Sequence, residues 1–254
     1  MSAWSSIAGL TAVLAGPSRA EALRPHPGTC DNRAMGEQPQ RFGDLTLDEF
    51  LARLGSAEPV PGGGSASAIA AALAAALVTM VARLSRDRAK YAAYEATHLH
   101  AEAGGQEASR TFLRLADEDA AAYGAFSAAL KLPRETDDEK VARSQALRAA
   151  ARGAARVPLE VVRACTGLAA DIESMAGRSN LNAASDVRVA ALLVEAAANG
   201  AAANVLVNLP SVGDAEFEVA VTDEVMGHLR VIDDLAARAR EVAGSGHLRD
   251  PEAR

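Results

Sequence analysis

The chain contains few of the residues that build β-sheet cores, disulfide frameworks or nucleic-acid surfaces. Aromatic residues make up only 4% of its 254 residues, and because strands favour aromatic and β-branched side chains, a β-sandwich or barrel is disfavoured. The two cysteines, Cys30 and Cys165, have neither metal-ligand spacing nor a paired framework, which favours a reducing, cytosolic compartment. The net charge of -7 offers no basic field to nucleic acid, so we expect no nucleic-acid partner.

Motifs for metals and for activated nucleophiles are also missing. Of the five histidines, His98 and His100 are two positions apart and therefore do not share a helix face, so the sequence predicts no metal site. None of the patterns GxSxG, HExxH and CxxC occurs. Cys165 lies in an apolar stretch and is predicted to be a small core residue.

Alanine is what the chain has in abundance. Sixty alanines, nearly a quarter of the residues, favour helices. The length suits one domain, and the pattern predicts an all-α, up-and-down helical bundle with buried Ala-rich helices. Because alanine buries little apolar area, we expect further burial in a homodimer.

Residues 1–40 have no helical period and many prolines and glycines. We interpret them as a disordered extension or as the result of a start codon assigned too far upstream, since Met35 precedes the first well-patterned segment. A signal peptide is the alternative, but the positive charge expected before its apolar stretch is missing. Residues 41–244 are predicted to form the helical domain and 245–254 a disordered tail.

One apolar segment leaves two interpretations open. Between Ala66 and Ala82 the only polar residues are Ser67 and Thr79. The run falls just short of the 18 or more residues typical of a membrane span. We favour a helix buried in a bundle or dimer, and therefore no membrane partner.

Several local signals predict helix boundaries. Thr46 and Glu49 form a capping-box pattern, and Ser65 is predicted to cap the following helix. Gly104-Gly105 predicts a possible interruption and Pro158 a kink or break. Ser185 is predicted to cap the helix that contains Asp186.

Three groups of residues are candidates for chemistry. The first is Gly62, Gly63, Gly64 and Ser65, at a predicted helix N-terminus, where free N–H groups favour anions; a plain connecting loop is the alternative. The second is Asp119, which shares a stripe with Tyr123 and Phe126 and would be partly desolvated, unless the acidic run 117–119 is simply solvated.

The third group consists of polar residues around an apolar helix. Asn182, Ser185 and Asp186 precede or begin it, and the simplest interpretation is a helix cap. Asn204 and Asn208 lie near its end. Amides buried in an apolar helix need hydrogen-bond partners, and a helix cap does not account for these two. The alternative is that water satisfies them, because they lie near the helix terminus.

The order of these motifs, over roughly residues 44–235, resembles that of the cyclodeaminase/cyclohydrolase family. This family includes the C-terminal domain of formiminotransferase-cyclodeaminase and stand-alone bacterial methenyltetrahydrofolate cyclohydrolases. The residues that carry the resemblance are Leu45–Leu51, Pro61–Ser65, Lys90-Tyr91, Asp119-Ala120 with Tyr123 and Phe126, Val157–Leu159, Ser185–Val187 with Val189–Ala191, and Gly200-Ala201 leading to Asn204-Val205 and Asn208–Pro210.

The resemblance implies an all-helical, cytoplasmic homodimer that acts on reduced folates without a metal or redox cofactor. The reaction it favours is hydrolysis of 5,10-methenyltetrahydrofolate to 10-formyltetrahydrofolate. The alternatives are cyclodeamination of 5-formimidoyltetrahydrofolate with release of ammonia, and a non-catalytic folate-binding or scaffold protein.

The same resemblance carries roles for individual residues. We expect Lys90, Asp119 and Asp186 to be catalytic, with a carboxylate moving protons beside the cationic carbon and the lysine polarising the developing oxygen. The expected substrate-binding residues are Gly62, Gly63, Gly64, Ser65, Tyr91, Asn182, Ser185, Asn204 and Asn208.

Overall fold

A computed structural model describes residues 40–251, so nearly all of the predicted N-terminal extension lies outside the described residues. Within residues 40–251 there are helices but no strands, which confirms the all-α prediction. In the same range, three short 3₁₀ segments lie between main helices, and a fourth, Phe42–Asp44, precedes the first of them. The main helices are α1 (Leu47–Leu54), α2 (Gly63–Ser85), α3 (Glu95–Leu130), α4 (Asp137–Met175), α5 (Ala184–Asn208) and α6 (Ala215–Ser245).

The long helices alternate in direction. The start of α2 lies against the second half of α3, where Ser65 contacts Asp119, and the end of α2 lies against the first half of α3, where Arg86 pairs with Glu102. α5 is likewise antiparallel to α2, because Asn204 lies beside Gly63 while Asn180, just before α5, contacts Ser85. This arrangement brings the start of α2 and the end of α5 together.

Small residues set how closely these helices pack. Gly104 and Gly105 do not interrupt α3, contrary to one expectation. A Cβ on Gly105 would lie 2.8 Å from the carbonyl oxygen of Ala75, so this glycine is needed for the approach of α3 to α2. Larger side chains fill the remaining core, among them Phe112, Leu115, Leu168 and Ile172.

Pro158 does not break α4, although the sequence predicted a kink or break there. Proline has no N–H, so the carbonyl of Ala154, four residues earlier, loses its helical partner. The Asn208 side-chain amide donates to this carbonyl over 3.1 Å. One amide from α5 therefore satisfies the carbonyl that the proline leaves free, and α4 continues through it.

Two predicted caps are wrong. Gly62 occupies the N-cap of α2, so Ser65 lies inside the first turn and its hydroxyl is used elsewhere. Ala183 is the N-cap of α5, because a 3₁₀ turn over Leu181–Ala183 leads directly into the helix and places Ser185 within it. The predicted capping box of Thr46 and Glu49 is present at α1.

The residues after α6 are held by hydrogen bonds, although we expected a disordered tail from residue 245. The Arg249 amide donates to the Gly177 carbonyl over 2.8 Å, and the Tyr94 hydroxyl donates to the Arg249 carbonyl over 2.7 Å. Arg249 also pairs with Glu173 at 2.9 Å. These contacts attach the segment to the end of α4.

Two helical stretches, Gly63–Ser85 and Leu181–Ser211, are long and apolar enough to cross a membrane. In the most apolar window of each, 56% and 44% of the residues are buried within the protein. Core helices of soluble proteins meet the same length and composition criteria, so these figures are weak support for a membrane span.

Candidate active site

A cleft of about 290 Å³ opens where the start of α2 meets α3, α4 and the end of α5. It brings together six of the residues that the sequence singled out as catalytic or substrate-binding. Its lining comprises Pro59, Val60, Gly62, Gly63, Gly64, Asp119, Tyr123, Phe126, Ala154, Asn204, Val207 and Asn208.

The Asp119 carboxylate lies directly on the first turn of α2. The Ser65 hydroxyl is 2.9 Å from a carboxylate oxygen of Asp119 and 3.1 Å from the Ala116 carbonyl. A Cβ on Gly64 would lie 2.6 Å from the carboxyl carbon of Asp119, so only glycine fits at this position. A carboxylate of the protein itself therefore lies at this helix N-terminus, while ligand binding by Gly62–Ser65 stays a prediction.

Burial raises the pKa of the Asp119 carboxyl above its ordinary value. Hydrogen bonds from the hydroxyl and backbone N–H of Ser65 act in the opposite direction, since they favour the ionised form, but they do not cancel the effect of burial. A carboxylate with a raised pKa in a cleft is suited to accepting and returning a proton.

Asn208 uses both of its amide hydrogens within the protein, and Asn204 uses one of its two. Asn204 Nδ2 donates to the Gly200 carbonyl over 2.8 Å, while Asn208 Nδ2 donates to the Asn204 and Ala154 carbonyls. Neither amide oxygen accepts a hydrogen bond from any residue in the described range 40–251. Both residues line the cleft, where each offers a ligand an acceptor oxygen and Asn204 also offers its second N–H.

The remaining predicted site residues lie at the opposite end of α2 and α5. Lys90 is exposed and its ammonium is 5.4 Å from the centre of the Tyr91 ring. Asn182 and Ser185 are exposed, and Asp186 is half-buried in the first turn of α5. Because α5 rises 1.5 Å per residue, Asp186 lies about 27 Å along the helix from Asn204. Within one chain, Asp119 is therefore separated from Lys90 and Asp186.

A buried hydrogen-bond network supports that second end. The Asn180 amide donates to the Leu84 carbonyl over 3.2 Å, its backbone N–H donates to the Ser85 hydroxyl, and the Tyr91 hydroxyl accepts from the Leu181 N–H over 3.2 Å. Tyr91 is only 5% exposed. In this chain its hydroxyl holds the turn before α5, and its role as a substrate contact stays a prediction.

His98 is a further buried polar side chain at this end. It is 1% exposed and its Nε2 lies 2.7 Å from the Arg178 carbonyl, so this nitrogen carries the proton. Burial lowers the pKa of His98, which keeps the ring neutral.

Among residues 40–251, no group of three or more histidine, cysteine, aspartate or glutamate side chains is placed to hold a metal ion. Cys165 is fully buried, and burial raises the pKa of its thiol to about 12, so it packs as a core residue.

The cleft has a functional residue that the sequence interpretation missed. Ala154 lines it and its carbonyl holds Asn208 in place. Pro158 could have pointed to Ala154 in the sequence. A proline inside a helix leaves the carbonyl four residues earlier without its helical hydrogen bond, and a nearby amide is the expected partner.

The fold and the cleft define a helical protein with a partly desolvated carboxylate in a cleft of small-molecule size. The family model described as Formiminotransferase-cyclodeaminase matches residues 46–227. The match covers well over half of the chain, which therefore belongs to this family and is an enzyme of it.

Named relatives divide into two activities. The chain is 36% identical over 203 residues to the methenyltetrahydrofolate cyclohydrolase of Methylorubrum extorquens, covering 80% of this chain and 98% of that protein. It is 35% identical over 179 residues to the formimidoyltransferase-cyclodeaminase of Rattus norvegicus, covering 70% of this chain but only 33% of that one. The crystal structure of the formiminotetrahydrofolate cyclodeaminase of Thermotoga maritima superimposes with a TM-score of 0.73 at 29% identity, covering 80% and 98% of the two chains.

Proposed function

We propose that the protein hydrolyses 5,10-methenyltetrahydrofolate to 10-formyltetrahydrofolate in the Asp119 cleft. The observation that carries this proposal is the Asp119 carboxylate itself, half-buried, raised in pKa and facing a cleft of small-molecule size. The end-to-end similarity to a methenyltetrahydrofolate cyclohydrolase supports the same reaction.

The reaction needs one group that takes a proton and returns it. Water adds to the cationic carbon between N5 and N10, and the Asp119 carboxylate accepts a proton from that water. The protonated carboxyl then donates to N5 as the bond between N5 and the carbon breaks, and the hydroxyl on that carbon loses its proton to solvent, leaving the formyl group on N10. One water is consumed and one proton is released overall, so the chemistry calls for neither a redox cofactor nor a metal.

A carboxylate also suits the charge of the substrate. The methenyl group carries a positive charge, which the ionised, partly buried Asp119 stabilises. The acceptor oxygens of Asn204 and Asn208 suit the N–H groups on the pyrimidine edge of the pterin.

Cyclodeamination of 5-formimidoyltetrahydrofolate is the second candidate, favoured by the likeness to the Thermotoga maritima structure. The chain spans about a third of the length of the formimidoyltransferase-cyclodeaminases it matches. A folate-binding protein without activity is the third candidate, and the retained Asp119 speaks against it.

One assay separates the three candidates. Purified protein is mixed with methenyltetrahydrofolate while its absorbance is followed, and then with formimidoyltetrahydrofolate while ammonia is measured. We expect rapid loss of methenyl absorbance above the spontaneous rate. Release of ammonia without methenyl hydrolysis would replace our proposal by cyclodeamination, and no turnover of either substrate would favour the binding protein.

We further propose a homodimer in the cytoplasm, with no membrane or nucleic-acid partner, built on the outer face of α2. That face is apolar from Ile69 to Met80 and exposes Leu73, Met80 and Leu84 at 56%, 38% and 41%, while Arg83 is exposed beside Leu84 in the last turn. A two-fold axis across the middle of α2 would pair this face with itself, antiparallel. Each end of α2 then meets the opposite end of the partner's helix, which brings Lys90 of the partner subunit toward Asp119.

Two measurements test the dimer. Light scattering should give twice the chain mass, and Leu73→Glu should give monomers, whereas Val219→Glu, equally exposed on α6, should not. Mixing the inactive variants Asp119→Asn and Lys90→Met after unfolding and refolding should restore about a quarter of wild-type turnover, because half of the dimers are mixed and each has one intact site. A monomeric wild type or no restoration would contradict the shared site.

A further inference from the structure

A second cavity, of about 600 Å³, lies next to the Asp119 cleft. The end of α3, the loop after it and the first half of α4 form its walls. Phe126 lines both cavities, so the two adjoin along α3. None of the functional assignments made so far uses this second cavity.

The second cavity is strongly basic. Arg134, Lys140, Arg143 and Arg148 line it, and no acidic residue does. Lys140 is paired with Asp137, but Arg134 and Arg148 form no ion pair with any residue between 40 and 251. The structure therefore brings four positive charges together here and pairs only that of Lys140 with an acidic side chain.

Arg143 gives a second, independent sign of a missing ligand. Its terminal nitrogen Nη2 donates to the Leu130 carbonyl over 3.1 Å. Its Nε is fully buried and has no hydrogen-bond partner within the described part of the chain. A buried donor without an acceptor is costly, so an acceptor supplied from outside the protein would stabilise this arrangement.

Different chemical groups follow one another along the face of α3 that lines the two cavities. Asp119, Tyr123, Phe126 and Leu130 follow one another at spacings of three or four and lie on one face of the helix. From Asp119 to Leu130 the helix rises about 16 Å. A ligand along this face meets a carboxylate first, then two aromatic rings, and then the arginines.

We infer that the second cavity binds the glutamyl tail of the folate, an inference that rests on the proposed function. A methenyl folate has the same order of groups: a cationic carbon, then an aminobenzoyl ring, then the tail carboxylates. The ring packs against Tyr123 and Phe126, and the carboxylates pair with Arg134, Arg143 and Arg148. Guanidinium groups suit this task because their paired N–H donors match the two oxygens of a carboxylate.

The test measures binding of 4-aminobenzoyl-triglutamate by titration calorimetry, since this probe contains the ring and the tail but no reacting carbon. The double variant Arg134→Gln, Arg148→Gln removes two exposed cations of the cavity. We expect at least tenfold weaker binding than in the wild type. The matched control Arg230→Gln removes an exposed arginine of α6 and should bind within twofold of the wild type.

Equal binding by the wild type and the double variant would overturn the inference, as would an equal loss in the control. Circular dichroism checks that the double variant is folded; if it is not, Arg134→Gln alone, in the loop before α4, carries the same comparison. Turnover of methenyltetrahydrofolate by the wild type is measured in parallel. If the probe binds normally but the wild type does not turn over methenyltetrahydrofolate, the proposed reaction is refuted and the tail site is not. If the wild type turns over the substrate but the double variant binds the probe as tightly as the wild type does, the tail site is refuted and the reaction is not.

Discussion

The two ends of α2 use polar residues in opposite ways. At its start, Asp119, Asn204 and Asn208 face an open cleft, and each has an oxygen that is available to a ligand. At its end, Asn180 and Tyr91 are buried, and their side chains form hydrogen bonds with the backbone of Leu84 and Leu181. Polar groups at the start of α2 still have unused hydrogen-bonding capacity, which is typical of a functional site. Those at its end form hydrogen bonds that hold the turn before α5.

The largest expected effect separates the ends by activity. Asp119→Asn should lower kcat by about 10²–10⁴, the usual contribution of a general acid or base. Because burial raises the pKa of Asp119, the wild-type rate should fall, as the pH is lowered, at a pH above the ordinary aspartate value of about 4.

The same variant should not lose stability at pH 7. In the wild type the ionised carboxylate destabilises the folded state at every pH above its raised pKa, and that destabilisation disappears as the pH falls to the ordinary value. Chemical unfolding should thus find Asp119→Asn at least as stable as the wild type at pH 7, with the difference vanishing near pH 4. A large loss of stability would mean that Asp119 is structural.

Gly64→Ala should damage both activity and stability at the cleft end. The added methyl would meet the Asp119 carboxyl, displacing it, and we expect a loss of about 1–3 kcal/mol in the free energy of unfolding. Gly167→Ala is the control, because nothing lies within 4 Å of a Cβ there and alanine favours the helix. An active, fully stable Gly64→Ala would show that the carboxylate does not need this position.

Asn180→Ala should act on stability at the other end. It removes side-chain hydrogen bonds to the Leu84 carbonyl and the Asn182 N–H, at about 1 kcal/mol each. Urea unfolding should show the loss, while the exposed neighbour Asn182→Ala should be nearly neutral in stability. No loss in Asn180→Ala would remove the distinction between the ends.

The smallest effect is a pH dependence from His98. Burial lowers the pKa of His98 in the folded protein, so in mild acid this histidine binds a proton in the unfolded chain but not in the folded one. The free energy of unfolding should therefore fall as the pH drops below about 6.5, the ordinary histidine pKa. His98→Gln should be less stable throughout but should lack this part of the slope, and an unchanged slope would assign it to other groups.

Much of the fold could be predicted from local chemistry. The capping box at Thr46 and the Ala-rich α2 were readable because capping and helix propensity depend on a few neighbouring residues. The uninterrupted α4 was not, because the partner of the carbonyl that Pro158 frees lies on α5, fifty-four positions further along the chain.

The site divides in the same way. Asp119, the Gly62–Ser65 turn, Asn204 and Asn208 could be named from the sequence and do lie together. Their roles could not be assigned, since the anion at the helix N-terminus proved to be Asp119 itself. The arginines of the second cavity gave no signal, because they are scattered over residues 134–148 and only the packing of α3 against α4 gathers them.

The sequence by itself determined helicity, the small residues that let the helices approach, and the family to which the chain belongs. The tertiary structure alone decided that Lys90 and Asp186 lie about a helix length from Asp119 in one chain. It also decided which polar groups are spent on the fold and which remain for a ligand. The physical reason is that burial and hydrogen-bond satisfaction depend on partners distant in sequence, which no local pattern specifies.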